Sequence, residues 1–490
     1  MSIEPIGIFT ILLGLYGLAS GYASTATIFV VMTLFGSAAA ILAGPANVQP
    51  AHLFLLFLAI ATFGTGTRWP VALKMLHFGK AGFWLALLTV YGAASAYFLP
   101  RFFAGESMII PLGVSEYPSS GGTVPLGPVS SNLTQTIYIA ADVICFLTIL
   151  SLGSTRTGFM AIVNGLIAYA GFNVFFAMLD LATSATGTQD LLQFMRNASY
   201  AFHENETVYG MKRIVGSWPE ASAFAGTTLG ALGFTGTMWL CARKGGWTGP
   251  LALASLLLIV LSTSSTGLVA APVCLAILYV TALVRSGVTR GSRHSAAVAL
   301  LFPPLTVAGV LVVIIHQGLY DRVHDYVDLL VLSKSTSDSG LERGSWNTFG
   351  LQNFWDSWGL GVGLGTARTS SFPVAVLSNV GIPGAIFFTL FALSALWPSN
   401  EARRTFESDV RLAARNGCLC LLLGAIVAGA TIDLGLLFFV LAGLASSKPS
   451  MDAVPMPLLP AAGGSGGPRP ITEALSSPEA DAGRGPAGRY

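Results

Sequence analysis

Long apolar runs follow one another along this chain, separated by short polar breaks. Stretches near 20 residues, enough to cross about 30 Å of hydrocarbon, fall at about 5–22, 25–44, 50–67, 81–99, 136–153 and 157–183. Others follow at about 221–241, 249–264, 266–284, 296–316, 373–397, 416–430 and 432–446, thirteen in all. Asp433 interrupts the last, which points to a tight hairpin or a re-entrant segment there. Hydrophobic residues make up 53% of the 490 and charged residues 10%, against about 25% charged in ordinary soluble domains. The pattern predicts an all-α fold, a polytopic membrane helix bundle of about 12–13 transmembrane helices, with two larger outward-facing loops that contain short helices.

Those two loops, 184–219 and 317–372, each carry arginines beside carboxylates, aromatics and glycines. They divide the chain into N-terminal transmembrane helices over 1–183, with an outward loop at about 100–135, central helices over 220–316 and C-terminal helices over 373–446. The tail 447–490 is rich in Pro, Gly, Ala and Ser and buries too little apolar surface to offset its ordering entropy, so a disordered cytoplasmic tail is expected. Near Met1 there is neither a basic leader nor a small-residue cleavage site, and the first run is expected to stay in the protein.

Orientation follows from Lys and Arg, because basic loops stay on the cytoplasmic side. Arg68, Lys74, Lys80, Arg156, Arg243, Lys244, Arg285, Arg290, Arg293, Arg403, Arg404, Arg411 and Arg415 fall in one set of short loops. With Lys448, Arg469, Arg484 and Arg489 of the tail they are 17 of the 25 basic residues. The other eight, Arg101, Arg196, Lys212, Arg213, Arg322, Lys334, Arg343 and Arg368, occupy the opposite set. That set is therefore expected outside, with the N-terminus outside and the C-terminus inside.

Cys145, Cys241, Cys274, Cys418 and Cys420 lie inside spans or at their cytoplasmic ends, so no outward disulfide is expected. Histidines show no metal-ligand spacing; the nearest approach, His324 with Asp321, Asp325 and Asp328, reads as the solvated face of an interfacial helix. Intramembrane carboxylates are sparse, with Asp142 in the fifth span, Asp180 near the outer end of the sixth, and Asp433 at the last break. A proton-coupled carrier needs a richer set. Asp142 reads equally well as a carboxyl hydrogen-bonded to a neighbouring span.

Candidate chemistry thus concentrates in the outward loops. Asp190–Tyr200 has one apolar side, as for a helix lying in the interface. After it, Lys212 and Arg213 precede Trp218, Pro219 and Glu220. Pro219 suits a first helical turn and Glu220 a place favoured by the helix dipole, so capping competes with a chemical role for that carboxylate. In the second loop Ser339 and Glu342 have capping-box spacing and open a helix with Arg343 in its first turn. A cation there opposes the dipole, a conflict that an anionic ligand would relieve. Gly359, Gly361, Gly363 and Gly365 lead to Arg368, Ser370 and Ser371; their backbone N–H groups can line a concavity for phosphate oxygens, or the stretch is a flexible turn. Arginine suits bidentate phosphate recognition, so the set points to a pyrophosphate attached to sugars at a membrane surface.

RIVGSWPEASAFAG at 213–226 resembles the arginine-to-helix element of the O-antigen ligase and polysaccharide polymerase family of bacterial membrane glycosyltransferases. LSTSSTGLVA at 261–270 resembles the Ser/Thr-rich break between two middle spans of that family. GLGVGLGTARTSSFPVAVLSNVGIPGAIFF at 359–388, preceded by Arg343, resembles its large-loop exit and following helix. Ligases of the family are expected to carry a histidine near the end of the large loop, where this chain has Arg368, Thr369, Ser370 and Ser371, and a middle Ser-Arg pair is Ser264 and Ser265 here. With Glu220 after Pro219, these departures favour a polymerase of exopolysaccharide, capsule or O-antigen repeats over a ligase acting on a lipid A core.

The resemblance implies a polyprenyl diphosphate-linked oligosaccharide as donor and acceptor, at the periplasmic face of a bacterial inner membrane. Arg213 and Arg343 would hold the diphosphate and Glu220 would act as general base, with Glu342 as the runner-up. Lys212, Glu342, Gly363, Gly365, Arg368, Ser370 and Ser371 would contact substrate. No metal, other cofactor or nucleic acid is expected, and a chain-length-regulating membrane protein is the further expected partner. The rival class is a flippase or transporter without chemistry, which would need cations at several depths of a central cavity. A purely structural subunit would leave Arg343 unexplained.

Overall fold

The computed structural model describes residues 2–43, 46–117, 122–198, 207–208, 211–287, 292–397 and 404–449. Expectations for the tail beyond 449, for Arg290, Arg403 and His203, and for the end of the 190–200 helix lie outside the described residues. The N-terminal part folds into α1 (Pro5–Ser20), α2 (Tyr22–Met32), α3 (Pro50–Phe63), a short α4 (Trp69–Met75), α5 (Ala81–Phe102), α6 (Ser131–Leu152) and α7 (Arg156–Thr186). The central part holds α8 (Ala221–Leu240), α9 (Gly245–Leu261), α10 (Ser265–Arg285) and α11 (Arg293–Ile315). In the large loop lie α12 (Gln317–Val327) and α13 (Asp338–Asp356), and the C-terminal part is α14 (Phe372–Leu396), α15 (Phe406–Ala428) and α16 (Leu436–Ser446).

Apart from α4, α12 and α13, each helix overlaps one apolar run of the sequence, though α2 covers only the first part of 25–44 and α15 begins ten residues before 416–430, and the protein is an all-α polytopic membrane helix bundle. Seven helices (α5, α6, α7, α10, α11, α14 and α15) are long and apolar enough to cross a membrane. By contrast α2 and α16 have 11 residues each, about 16 Å, and stop short of a full crossing. Helix starts follow local signals: Pro opens α1 and α3, Thr155 accepts from Gly158 N at the start of α7, and Thr405 with Ser408 form a reciprocal box at the start of α15.

The run at 25–44 is not one helix. After Met32 the chain turns into an antiparallel sheet of β1 (Ser2–Ile3), β2 (Ile41–Ala43) and β3 (Ala46–Val48). Tertiary contacts override the apolar pattern here, since the Ser37 hydroxyl lies against the carbonyls of Met195 (2.9 Å) and Ser217 (2.8 Å), and a Cβ at Gly36 would meet the Trp218 ring at 2.2 Å. In place of the interfacial helix expected over 190–200, a short 3-10 turn covers Gln189–Met195. The interruption at Asp433 is a true break: α15 ends at Ala428, and α16 starts at Leu436.

The central helix α8 is buried along most of its length and sits tightly on α15. A Cβ at Gly424 would lie 2.9 Å from Gly226 Cα, and one at Gly417 3.2 Å from Gly230 O, the close approach that small residues allow between membrane helices. Asn416 Nδ2 donates to the hydroxyls of Thr237 and Thr281, both at 2.9 Å, and ties α15 to α8 and α10. The two sets of loops separated by charge are each cross-linked within themselves. Asp409 pairs with Arg243 at 2.9 Å and Arg285 at 2.7 Å, whereas Ser107 of the opposite set donates to Asn353 and Asp356 at 3.0 and 2.6 Å.

Candidate functional site

Glu220 stands where the first polar stretch enters α8. Its backbone is extended (φ −152°, ψ 160°) at the N-cap position, yet its carboxylate caps no backbone N–H. Oε2 instead pairs with Arg343 Nη2 at 3.1 Å, and Oε1 accepts the hydroxyl of Ser222. A separation of 123 residues thereby closes into one ion pair. Both side chains keep about a third of their surface exposed (33% and 31%), and such open pairs contribute only about 0–1 kcal/mol to stability. The pair is open to a ligand.

Helix α13, which carries Arg343, starts earlier than the sequence indicates. Its N-cap is Ser337, whose Oγ accepts from Gly340 N at 3.2 Å, while Ser339 accepts from the Lys334 ammonium at 2.5 Å. The box expected of Ser339 with Glu342 does not form, and Glu342 is exposed on the helix surface. Arg343 consequently falls in the second turn, beyond the strongest field of the helix N-terminus, so the expected conflict with the dipole does not arise. Glu220 supplies its counter-charge.

One turn further on, Trp346 faces the exit of the loop. The Arg368 guanidinium carbon lies 4.7 Å from the Trp346 ring centroid, a cation–π contact. Ser370 N donates to Asn347 Oδ1 at 2.8 Å. Residues three and four apart share a helix face, so Arg343, Trp346 and Asn347 gather both guanidinium groups on one surface. Arg368 pairs with no carboxylate among the described residues, and its buried Nε lacks a hydrogen-bond acceptor. Ser370 is itself buried, and the Ser371 hydroxyl donates to Ile426 O at 2.8 Å at the start of α14.

The glycine stretch departs from its expected role. Gly359, Gly361, Gly363 and Gly365 all take positive φ (76°, 82°, 105° and 78°). The N–H groups around them nevertheless point into protein: Gly361 to Ser357 Oγ at 3.0 Å, Val362 to Ser378 O at 2.8 Å, Gly363 to Asn379 O at 2.9 Å and Arg368 to Ile110 O at 2.8 Å. A Cβ at Gly363 would lie 2.8 Å from Ser95 O, and one at Gly365 2.6 Å from Ser131 O. Gly363 and Gly365 therefore serve close packing on α5 and α6 instead of cradling phosphate.

Lys212 is also committed elsewhere. Asp180, fully buried near the end of α7, accepts Lys212 Nζ at 2.5 Å, Arg196 Nη2 at 2.8 Å and the N–H groups of Val215 and Gly216 at 3.0 and 3.1 Å. This carboxylate grips the chain on both sides of Arg213, which lies half-buried on the segment leading into Glu220. Sequence reasoning placed Asp180 at the outer end of a span but missed its partners, because none of them is a helical neighbour.

The Ser/Thr break lies beside the same helix start. Ser262, Thr263 and Ser264 are buried between α9 and α10, Thr263 at φ 51°, a left-handed conformation rare for a β-branched residue, and Ser264 Oγ has no hydrogen-bond partner among the described residues. A Cβ at Gly267 in the first turn of α10 would meet Ala225 of α8 at 3.1 Å, which sets the break next to the helix that begins after Glu220. From α12, Tyr326 donates to Val260 O at 2.8 Å and lays the large loop over the end of α9; burial raises the Tyr326 phenol above its usual range. Trp346, Asn347 and Ser222 went unnoticed in the sequence, although the helical spacing from Arg343 signals the first two. No protein-family model matches the chain and no curated protein matches it in sequence.

Proposed function

We propose that this multi-pass membrane protein is a glycosyltransferase that polymerises lipid-linked oligosaccharide repeats of exopolysaccharide, capsule or O-antigen type. On this reading it works at the periplasmic face of a bacterial inner membrane. The observation that carries the proposal is a single surface on which the open Glu220–Arg343 pair lies one helical turn from the Arg368 guanidinium stacked on Trp346. Two guanidinium groups against one carboxylate leave positive charge for a diphosphate, and the Trp346 ring offers a face to a sugar. The resemblance over 213–226, 261–270 and 359–388 supports the same reading.

The donor diphosphate docks on Arg343 and Arg368, with Arg213 assisting from the adjoining segment. A hydroxyl of the acceptor sugar attacks the anomeric carbon, and the bond from that carbon to the diphosphate oxygen breaks as the new C–O bond forms. Polyprenyl diphosphate departs with the electron pair. Phosphate draws Arg343 away from Glu220, which is left to accept the hydroxyl proton. Negative charge grows on the departing oxygen, so guanidinium groups fixed in advance stabilise the transition state more than the ground state. Direct attack inverts the anomeric centre. Glu342, exposed on α13, is the runner-up base.

Incubation of the purified protein with a polyprenyl diphosphate-linked oligosaccharide, following lipid release and glycan length, tests the proposal. A growing ladder with one polyprenyl diphosphate released per bond is the expected result. A single transfer to a lipid A core would make the protein a ligase, and substrate carried intact across a vesicle membrane would make it a flippase.

A further inference from the structure

At the end of α8 far from Glu220, Arg243 sets its guanidinium carbon 5.9 Å from the Phe406 ring centroid. Beside Phe406 opens a cavity of about 250 Å³, lined by Arg156, Phe159 and Met160 of α7, Phe406 and Glu407 of α15, and Pro449 beyond α16. Close packing fixes its walls: a Cβ at Gly158 would lie 2.2 Å from Leu152 O, and one at Gly153 2.7 Å from Ser447 Cβ. The cavity lies at the level of lipid headgroups. Asp180 and its cation partners mark the outward end of α7, and about 20 residues of helix cross about 30 Å of hydrocarbon, which brings Met160 to the opposite boundary.

Two charged side chains line this cavity. Arg156 and Glu407 form no ion pair or hydrogen bond among the described residues, either with each other or elsewhere. Neighbouring charges are committed: Arg243 and Arg285 hold Asp409 at 2.9 and 2.7 Å, and Lys244 donates to Asn164 Oδ1 at 2.7 Å. Lys448, beside Pro449, is exposed and outside the lining. Arg156 is the first residue of α7 after its Thr155 cap, where a cation opposes the helix dipole and an anion would relieve it. The remaining wall, Phe159, Met160, Phe406 and Pro449, is apolar. Its volume of about 250 Å³ falls below the range of about 300–1,000 Å³ for sites that enclose whole small molecules, and suits a headgroup whose chains stay in the bilayer. One open cation with one open carboxylate complements a zwitterion better than a net anion.

We propose that this cavity holds the headgroup of a phospholipid bearing a primary ammonium, a phosphoethanolamine, with its phosphate on Arg156 and its ammonium on Glu407. An anionic headgroup without an amine would set its charge against Glu407, and a trimethylated amine has no N–H to donate to it. The site is separate from the outward surface and does not depend on the glycosyl-transfer reading.

Lipid retention by the purified full-length protein tests this. Phosphatidylethanolamine, phosphatidylglycerol and phosphatidylcholine are offered at equal concentration in mixed micelles, and lipid bound to the re-isolated protein is counted by native mass spectrometry. Wild type is expected to retain phosphatidylethanolamine over the other two, Glu407→Gln to retain about tenfold less of it, and Arg156→Ala to retain less of all three. Unchanged retention of phosphatidylethanolamine by Glu407→Gln would overturn the proposal. The comparison in wild type needs no variant: phosphatidylglycerol or phosphatidylcholine held as well as phosphatidylethanolamine, or no lipid held at all, overturns it equally.

Discussion

Removing the Arg343 guanidinium separates a catalytic role from a structural one, because the two roles differ in magnitude. The Glu220–Arg343 pair is 3.1 Å long and about a third exposed on both sides (33% and 31%), so its loss in Arg343→Ala costs about 0.2–1 kcal/mol of stability. If the same group stabilises charge on a departing diphosphate, the rate falls about 10²–10³-fold, equivalent to about 3–4 kcal/mol of transition-state stabilisation. Glu220→Gln, which keeps the shape and removes the base, is expected to lower the rate about 10²–10⁴-fold with a similarly small change in stability. The double variant should lose less than the product of the two, since both groups act in one step. Thermal unfolding in detergent measures the first quantity, and release of polyprenyl diphosphate per folded molecule the second. Lys74→Ala, an exposed cation in the opposite set of loops, serves as control and should leave both unchanged. Turnover within tenfold of wild type in Arg343→Ala, or a loss of stability that accounts for the lost activity, would refute the reasoning.

Asp180→Asn leaves Lys212 and Arg196 without their carboxylate in a buried site, a change of about 3–5 kcal/mol, and should sharply reduce folded protein in the membrane, read by abundance and protease resistance. Gly365→Ala forces a side chain onto a backbone at φ 78° with Ser131 O 2.6 Å away; it should lower thermal stability by about 1–3 kcal/mol while the surviving protein keeps its KM for donor. A raised KM at unchanged stability would restore the glycine stretch to the phosphate site. A chelator should leave turnover unchanged, and activity lost on chelation and recovered with a divalent metal would reject a mechanism carried by arginine alone.

The helices were legible because an apolar run near 20 residues has few alternatives in a chain this hydrophobic. Pattern failed where long-range contacts outweighed it, as at 33–43, where the Ser37 and Gly36 contacts replace helix with a turn leading into a strand. For the candidate site, residue types were readable but their partners were not. Nothing in one sequence joins Glu220 to Arg343, or Asp180 to a cation, since these pairs close only when the bundle assembles. Capping was misplaced by two residues because Ser339 has the better local spacing, to Glu342, while the fold gives the Ser339 hydroxyl to Lys334 and starts the helix at Ser337, and that error carried the dipole argument for Arg343 with it. The run of glycines was legible as a place where backbone N–H groups come to the fore, but not the direction of those groups, which Ser357 nearby and Ser378 and Asn379 of α14 decide.

The central claim, that Glu220, Arg343 and Arg368 act together on a lipid-linked diphosphate, is tested most directly by a single-turnover reaction of purified wild type, Glu220→Gln and Arg368→Ala with a polyprenyl diphosphate-linked oligosaccharide, measuring binding and lipid release separately. The expected result is rapid release by wild type, wild-type binding without release by Glu220→Gln, and weakened binding by Arg368→Ala. Release by Glu220→Gln at the wild-type rate, or binding by Arg368→Ala as tight as that of wild type, would contradict it.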